Sequence, residues 1–193
     1  MANIGLKNAK WNEIDYTTNK YKTLTNSTVP VLGRLIDAKL TENRSDVSLF
    51  ADDVLAEYDS SFTGGSVAIT IDDVDDTTYS KIKGCTISES EVTENENDSS
   101  PEIGYGHIVT KVVNGVKKFK VEFLPRIRVT KVTADAKTKG ESIEFNTVSI
   151  EAKVMSLNKA INGLAVGDWH KIKTFDTLAD AVTYLNGLLT PTA

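Results

Sequence analysis

The sequence predicts a mainly β fold: an antiparallel β-sandwich or barrel-like sheet with a short flanking helix, a C-terminal helix and a long loop. Three observations lead to this prediction. Side chains alternate along several short segments, an Asn-Gly pair joins two of them, and a helical apolar stripe lies near the C-terminus. The 193 residues, 40% of them hydrophobic, suit one well-buried core. We expect a single domain over 1–193, with 157–193 a strand-plus-helix extension packed on it.

The alternating segments define strands and one irregularity. Over residues 65–71, Val67, Ile69 and Ile71 share one face. Residues 141–155 change phase, because one face has Ile143 and Phe145 while the other has Val148, Ile150, Ala152 and Val154. A strand cannot bury both sets in one direction without an extra residue, so we expect a bulge or a crossing between sheets near Asn146 and Thr147.

A hairpin is predicted around Asn114-Gly115, which separates strand-like residues 108–113 from 117–124. Both turn residues tolerate positive φ, so this pair is a strong hairpin signal. The second strand would direct Phe119, Val121 and Phe123 inward. Pro125 lacks an N–H group, and we therefore expect a corner or a sheet edge there rather than a central strand.

Two helices complete the predicted fold. The C-terminal one, over 177–189, has an apolar stripe and is capped by Asp176 or Thr177, with Asp180 favourably placed in its first turn. The stripe contains Leu178, Ala181, Val182, Leu185 and Leu189. A shorter helix begins within the acidic run at 72–76, directs Tyr79 and Ile82 to the core, and ends at Gly84.

Two long connections remain. Residues 41–64 contain too many apolar side chains for a disordered segment, and these need a surface to cover on this subunit or on a neighbour. Residues 88–102 are acidic and nearly free of apolar side chains, which predicts a mobile hairpin tip or loop.

No pattern of catalytic residues stands out. His107 and His170 are far apart in sequence, Gly64-Gly65-Ser66 lacks the second glycine of a nucleophile elbow, and no phosphate-binding glycine loop or Cys/His metal spacing occurs. We expect no enzyme activity and no cofactor. Asp72, Asp73, Asp75 and Asp76 fall in adjacent pairs without the glycine of a calcium loop, so we interpret them as a helix cap or part of an acidic surface, with no metal.

Charge is distributed unevenly along the chain. Residues 41–102 contain 16 acidic and three basic residues, a net charge of −13, whereas the remainder has a net charge of +8. Opposite regions of this kind favour association between copies, and the acidic stretch argues against nucleic-acid binding there. Cys85 is the lone cysteine, and the first residues contain no apolar run typical of a signal peptide. We therefore expect synthesis in a reducing cytoplasm.

Several segments, in order along nearly the whole chain, resemble the major tail proteins of long-tailed phages and prophages of Gram-positive bacteria. They are NIGLKN at 3–8, LFADD at 49–53, FTGGSVAITIDDVDD at 62–76, NGVKKFKVEFLPRIRV at 114–129, TKGESIEFNTVSIEAKVM at 138–155 and FDTLADAVTYLN at 175–186. The combination is far more specific than any one segment.

The resemblance implies a structural subunit of the tail tube. Such subunits form six-fold rings that stack into a hollow channel for DNA ejection, contact other tail proteins such as the tape measure and tail terminator, and let DNA pass without specific binding. It also implies assembly in the bacterial host cytoplasm, a place in the virion tail, and no membrane. A long loop would contact neighbouring subunits, and we assign Leu49, Phe50, Asp52, Asp53 and Phe62 to that interface.

Two further expectations follow from the charges. Part of the acidic set, including Asp72, Asp73, Asp75 or Asp76, would line the lumen, because a basic wall would bind passing phosphates. Arg126, Arg128 and most lysines of the later strands would lie at subunit contacts or outside. The alternative function is a non-catalytic β-sandwich module that binds carbohydrate or a cell surface.

Overall fold

A computed structural model describes residues 2–24, 28–89, 91–134 and 146–191. Thirteen strands and two helices lie within these ranges. The strands are β1 (Ala2–Asp15), β2 (Lys20–Tyr21), β3 (Val31–Gly33), β4 (Leu35–Arg44), β5 (Val47–Ala51), β6 (Val54–Asp59), β7 (Phe62–Ile71), β8 (Thr86–Ser88), β9 (Glu91–Thr93), β10 (Glu102–Val113), β11 (Val116–Ala134), β12 (Val148–Val154) and β13 (Lys171–Phe175). The helices are α1 (Asp76–Lys83) and α2 (Leu178–Leu189).

One antiparallel sheet organises the chain, with strand order β2–β1–β10–β11–β12–β7–β4. β3 pairs with β1, and β13 pairs with β11. The pairs β5–β6 and β8–β9 form two separate two-stranded sheets. The predicted mainly β, antiparallel fold with two flanking helices is confirmed.

The sheet curls so that its two ends face one another. Ala9 and Trp11 of β1 share a buried cluster with Ile69 and Ile71 of β7, although β1 is second in the strand order and β7 second from last. Ile82 of α1 closes part of this cluster. A second cluster covers the other face of β10 and β11, where Ile108, Val121 and Phe123 pack against α2 and residues 157–164.

The predicted hairpin is confirmed, with Asn114 and Gly115 both at positive φ between β10 and β11. The expectation at Pro125 is wrong, because β11 runs through it as a central strand. On one side Pro125 and Arg126 oppose the single residue Gly104 at a bulge. On the other side, the partner of β11 changes from β13 to β12 at this point. The missing N–H group therefore removes no ladder bond that the neighbouring strands require.

Both helices match their predicted positions and caps. Asp75 accepts a hydrogen bond from the Thr78 N–H (2.9 Å) at the start of α1, and Gly84 ends that helix in the left-handed region (φ 76°). Thr177 caps α2 by accepting from the Asp180 N–H (3.1 Å). The buried face of α2 contains the predicted Ala181, Leu185 and Leu189.

Only the second part of the segment with the predicted phase change, residues 146–155, lies within the described ranges. Val148, Ile150, Ala152 and Val154 are all buried in β12, as predicted for that face. Ile143 and Phe145 lie outside the described residues, so the expected bulge or crossing stays a prediction. The acidic connection at 88–102 begins as a short hairpin, β8–β9, and continues as a loop to β10.

Candidate assembly interface

Residues 47–59 form a two-stranded hairpin, called here the arm, where the sequence predicted a long loop. β5 and β6 pair antiparallel across a turn made by Asp52 and Asp53, which both adopt positive φ (52° and 61°). Aspartate tolerates this conformation better than most residues, so an Asp-Asp pair between two apolar runs is a usable hairpin signal that our sequence analysis missed.

Both faces of the arm have exposed apolar side chains. Residues directly opposite in a ladder share a face, so the pairs Phe50–Leu55 and Ser48–Tyr58 define one face. Val47, Leu49 and Val54 lie on the other. The six large side chains among these residues, which are all of them except Ser48, are each more than half exposed, and Phe50 is 66% exposed. Every residue of β5 and β6 is exposed, so the body of the subunit covers neither face.

The charged groups of the arm and its base are all acidic. Residues 45–61 contain five carboxylates and no lysine or arginine: Asp46, Asp52, Asp53, Glu57 and Asp59. Asp59 fastens the base of the arm by accepting from the Ser45 Oγ (2.6 Å) and the Ser61 N–H (3.1 Å). These hydrogen bonds from Ser45 and Ser61 lower the pKa of Asp59. The arm is thus an apolar, negatively charged projection with an ordered base.

Phe62 differs from the other predicted interface residues. Its ring stacks on Trp169 with centroids 4.2 Å apart and planes 7° from parallel, and it packs on the subunit's own core. The length of the connection was our reason to assign Phe62 to a neighbour, and this contact removes that reason. Leu49, Phe50, Asp52 and Asp53 remain exposed candidates.

The four aspartates of the opening of α1 have separate partners. Asp72 accepts from the backbone N–H (2.8 Å) and the Nε (2.5 Å) of Arg34. Asp73 accepts from the Val74 N–H (2.8 Å), Asp75 caps α1, and Asp76 lies in its first turn. Among the described residues, no group of three or more His, Cys, Asp or Glu side chains is placed to hold a metal ion.

The predicted basic contact residues are partly engaged within the subunit. Glu102 is only 5% exposed and accepts from the Arg126 Nε (2.5 Å) and Nη2 (2.9 Å) and from the Arg128 Nη2 (3.1 Å). Arg126 also donates to the Ser156 carbonyl (3.0 Å). The Arg126 guanidinium thus satisfies a buried carboxylate of its own subunit, and the expectation that Arg126 lies at a subunit contact or outside stays a prediction. Arg128 remains about half exposed.

Folding brings together two histidines that are distant in sequence. His107, His170 and Glu122 line one small internal cavity with apolar groups of β4 and β7, and the His107 Nε2 lies 3.8 Å from the Glu122 Oε2. His107 Nδ1 and His170 Nε2 are buried without a hydrogen-bond partner in the described part of the chain. Burial lowers the pKa of His107 to about 4 and lowers that of His170. Burial opposes ionisation of Glu122, but a hydrogen bond from Lys120 and the nearby positive charges lower its pKa.

Neither a protein-family model nor a curated protein matches this sequence. Within the described ranges, neither α1 nor α2 is long and apolar enough to cross a membrane. The arm therefore stands as the candidate functional feature on its own geometry.

Proposed function

We propose that this chain is a structural subunit of a phage tail tube, which assembles into stacked six-fold rings around a channel for DNA ejection. The observation that carries the proposal is the arm, whose apolar side chains are exposed on both faces. The order of segments that resemble the tail protein family supports it, and so does the mainly β fold.

An arm of this kind favours association because its apolar faces have no cover. Soluble monomers rarely expose large contiguous apolar patches, and such patches commonly mark protein–protein contacts. A projection on one side of a subunit that meets a different surface of the next makes a heterologous contact, which closes into rings or extends as a stack. Assembly into rings therefore needs complementary surfaces and no catalytic residues.

The channel in this proposal has an acidic wall supplied by residues 41–102. Asp72 and Asp75 are engaged with Arg34 and the α1 terminus, which leaves the carboxylates of the arm and those around β8 and β9 as exposed candidates. Repulsion between such a wall and DNA phosphates would keep DNA moving without specific binding. The other partners would be the tape measure and tail terminator proteins.

The substitution Phe50→Asp tests the proposal. Concentrated wild-type protein should form rings or tubes in negative-stain electron microscopy, whereas the variant should stay a folded monomer. The reason is that the substitution removes an apolar side chain from the subunit contact, which costs about 2 kcal/mol or more of binding free energy. Val166→Asp is a matched control, since Val166 is 65% exposed and Phe50 66%. Loss of folding by the Phe50 variant, or a wild type that stays monomeric at every concentration, would contradict the proposal.

A binding module is the second candidate, because Phe50 and Tyr58 place two exposed aromatic rings on one face of the arm. Exposed aromatic rings suit stacking on a sugar. Saturable carbohydrate binding by a strictly monomeric protein, lost in Phe50→Ala, would favour this function over the tail tube.

A further inference from the structure

Strand β13 has an open edge. β11 pairs with β13 over residues 119–123 and with β12 over residues 127–134, both on the same side of β11. β12 continues the sheet by pairing with β7, but β13 has no second partner strand in the described ranges. Unpaired edges present backbone N–H and C=O groups that can accept another strand.

The arm leaves this edge open. Gly65 of β7 lies opposite Val154, the last residue of β12, and β6 precedes β7. In an unbroken sheet β6 would therefore continue beside β13. Instead β6 pairs with β5 alone in the described structure, and the Ser45 N–H donates to the Ser61 carbonyl (2.8 Å) at the base of the arm. One subunit thus presents two unpaired strand edges, that of β6 in the arm and that of β13.

The side chains of the two strands are complementary. On β13 the sequence Lys171-Ile172-Lys173 places two lysines on one face and Ile172, 53% exposed, on the other. On β6 the sequence Glu57-Tyr58-Asp59 places two carboxylates on one face and an exposed aromatic ring on the other. Opposite charges and aromatic–β-branched pairs across strands are both stabilising.

The surroundings of β13 keep its lysines available. Lys118 and Lys120 satisfy the nearby carboxylates Asp176 and Glu122. Lys173 lies over the rings of Phe175 and Tyr184 (5.1 and 4.7 Å to the centroids). Lys171 has no ion-pair partner among the described residues. The edge therefore has a positive face that fits an acidic strand.

We propose that the outer edge of β13 receives strand β6 from the arm of a second copy of this chain. Antiparallel addition would place Lys171 opposite Asp59, Ile172 opposite Tyr58 and Lys173 opposite Glu57. The inference rests on the self-assembly proposed above, and it names the surface that the arm contacts. It also divides the acidic residues, because Glu57 and Asp59 pair with lysines and the other exposed carboxylates are left for the channel.

Charge reversal tests the pairing. Glu57→Lys and Lys173→Glu should each raise the protein concentration needed for assembly about tenfold, as expected for a close charge pair. The double variant restores opposite charges and should assemble near the wild-type concentration, measured by sedimentation velocity. Two defects that simply add in the double variant would overturn the pairing. Thermal melting of each variant establishes that its monomer is folded.

Cross-linking tests the contact without relying on charge. In a Cys85→Ser background, one preparation has Glu57→Cys and the other Lys173→Cys, and the two are mixed before a short bismaleimide is added. A covalent dimer with one chain of each kind supports the inference. Cross-linking within a single chain that has both cysteines would show instead that the arm folds onto its own β13, and would overturn it.

The outcomes separate this inference from the proposed function. If wild-type protein forms rings and Phe50→Asp does not, but neither cross-linking nor charge restoration occurs, the arm docks elsewhere and only the β13 contact fails. If the wild type remains monomeric at every concentration, the proposed function and the docking site fail together.

Discussion

β10 and the arm are both apolar β-structure, yet their surroundings are opposite. In β10, nine consecutive residues from Glu102 to Thr110 are buried, so the strand is covered on both faces. Ile103 and Tyr105 belong to the cluster inside the curled sheet, while Ile108 belongs to the cluster under α2. In the arm, every residue of both strands is exposed.

The difference shows that strand propensity and burial are separate properties. Glycines allow the close cover of β10: a Cβ at Gly104 would lie 2.5 Å from the Tyr21 ring, and one at Gly106 would lie 2.5 Å from the Leu185 Cδ1. Tyr21 also donates to the Pro125 carbonyl (2.9 Å), which satisfies its buried hydroxyl. The arm has similar apolar side chains, but every residue of its two strands is exposed in the described part of the chain, so further cover has to come from outside.

The largest expected effect on stability comes from a substitution that creates a cavity beside β10. Phe123→Ala removes a fully buried ring that contacts Tyr21 and the α2 cluster, and should lower the free energy of unfolding by about 3–5 kcal/mol. Phe50→Ala on the arm is the matched control and should change monomer stability by less than about 0.5 kcal/mol. Chemical denaturation at low protein concentration measures both. Equal losses would mean that the arm is part of the monomer's core.

A pH titration isolates the buried imidazole of β10. The pKa of His107 is lowered to about 4, whereas an unfolded histidine has a pKa near 6.5, so the unfolded chain binds the proton first as pH falls. The contribution of neutral His107 to the free energy of unfolding should be fully present above pH 6.5. It should fall by about 3 kcal/mol as the pH approaches 4, at roughly 1.4 kcal/mol for each unit of pKa difference. His107→Gln should flatten most of this dependence, and an unchanged slope would contradict the assignment. The lowered pKa of His170 contributes a smaller remainder in the same direction.

The polar start of β10 offers a third test. Glu102→Ala leaves the Arg126 guanidinium without its carboxylate partner in a largely buried position, and should cost about 2 kcal/mol of stability. Glu91→Ala, on an exposed strand, serves as the control and should be nearly neutral. Urea denaturation distinguishes the two. A neutral Glu102 variant would show that Arg126 gains an equivalent partner from solvent.

The smallest effect is expected at the turn of the arm. Asp53→Gly relieves a left-handed aspartate and should stabilise the hairpin locally by about 0.5 kcal/mol. Amides of β5 and β6 should exchange more slowly with deuterium, while global unfolding is unchanged because the arm contributes little to the monomer. Faster exchange in the arm would contradict the observed turn geometry.

Local sequence signals predicted the elements that depend on local chemistry. The Asn114-Gly115 turn, the Asp75 and Thr177 caps, the Gly84 terminus and the alternation in β7 and β12 each follow from conformational preferences of one or two residues, and each is present as predicted. The assignment of Leu49 and Phe50 to a subunit contact stays a prediction, with which their exposure agrees. Phe62 instead packs on Trp169, more than a hundred residues away in sequence. No local signal identifies such a partner.

The sequence by itself determined the fold class, the turn and cap positions and the concentration of negative charge in residues 41–102. Only the tertiary structure decided which apolar strands are covered: it buried β10 on both faces and left the arm and the edge of β13 without partners in the described chain. It also decided that Pro125 lies where the partner of β11 changes from β13 to β12, and that Arg126 pairs with Glu102. The physical reason is that conformational preference acts within a few residues, whereas burial and ion pairing depend on which distant segments the curled sheet brings into contact.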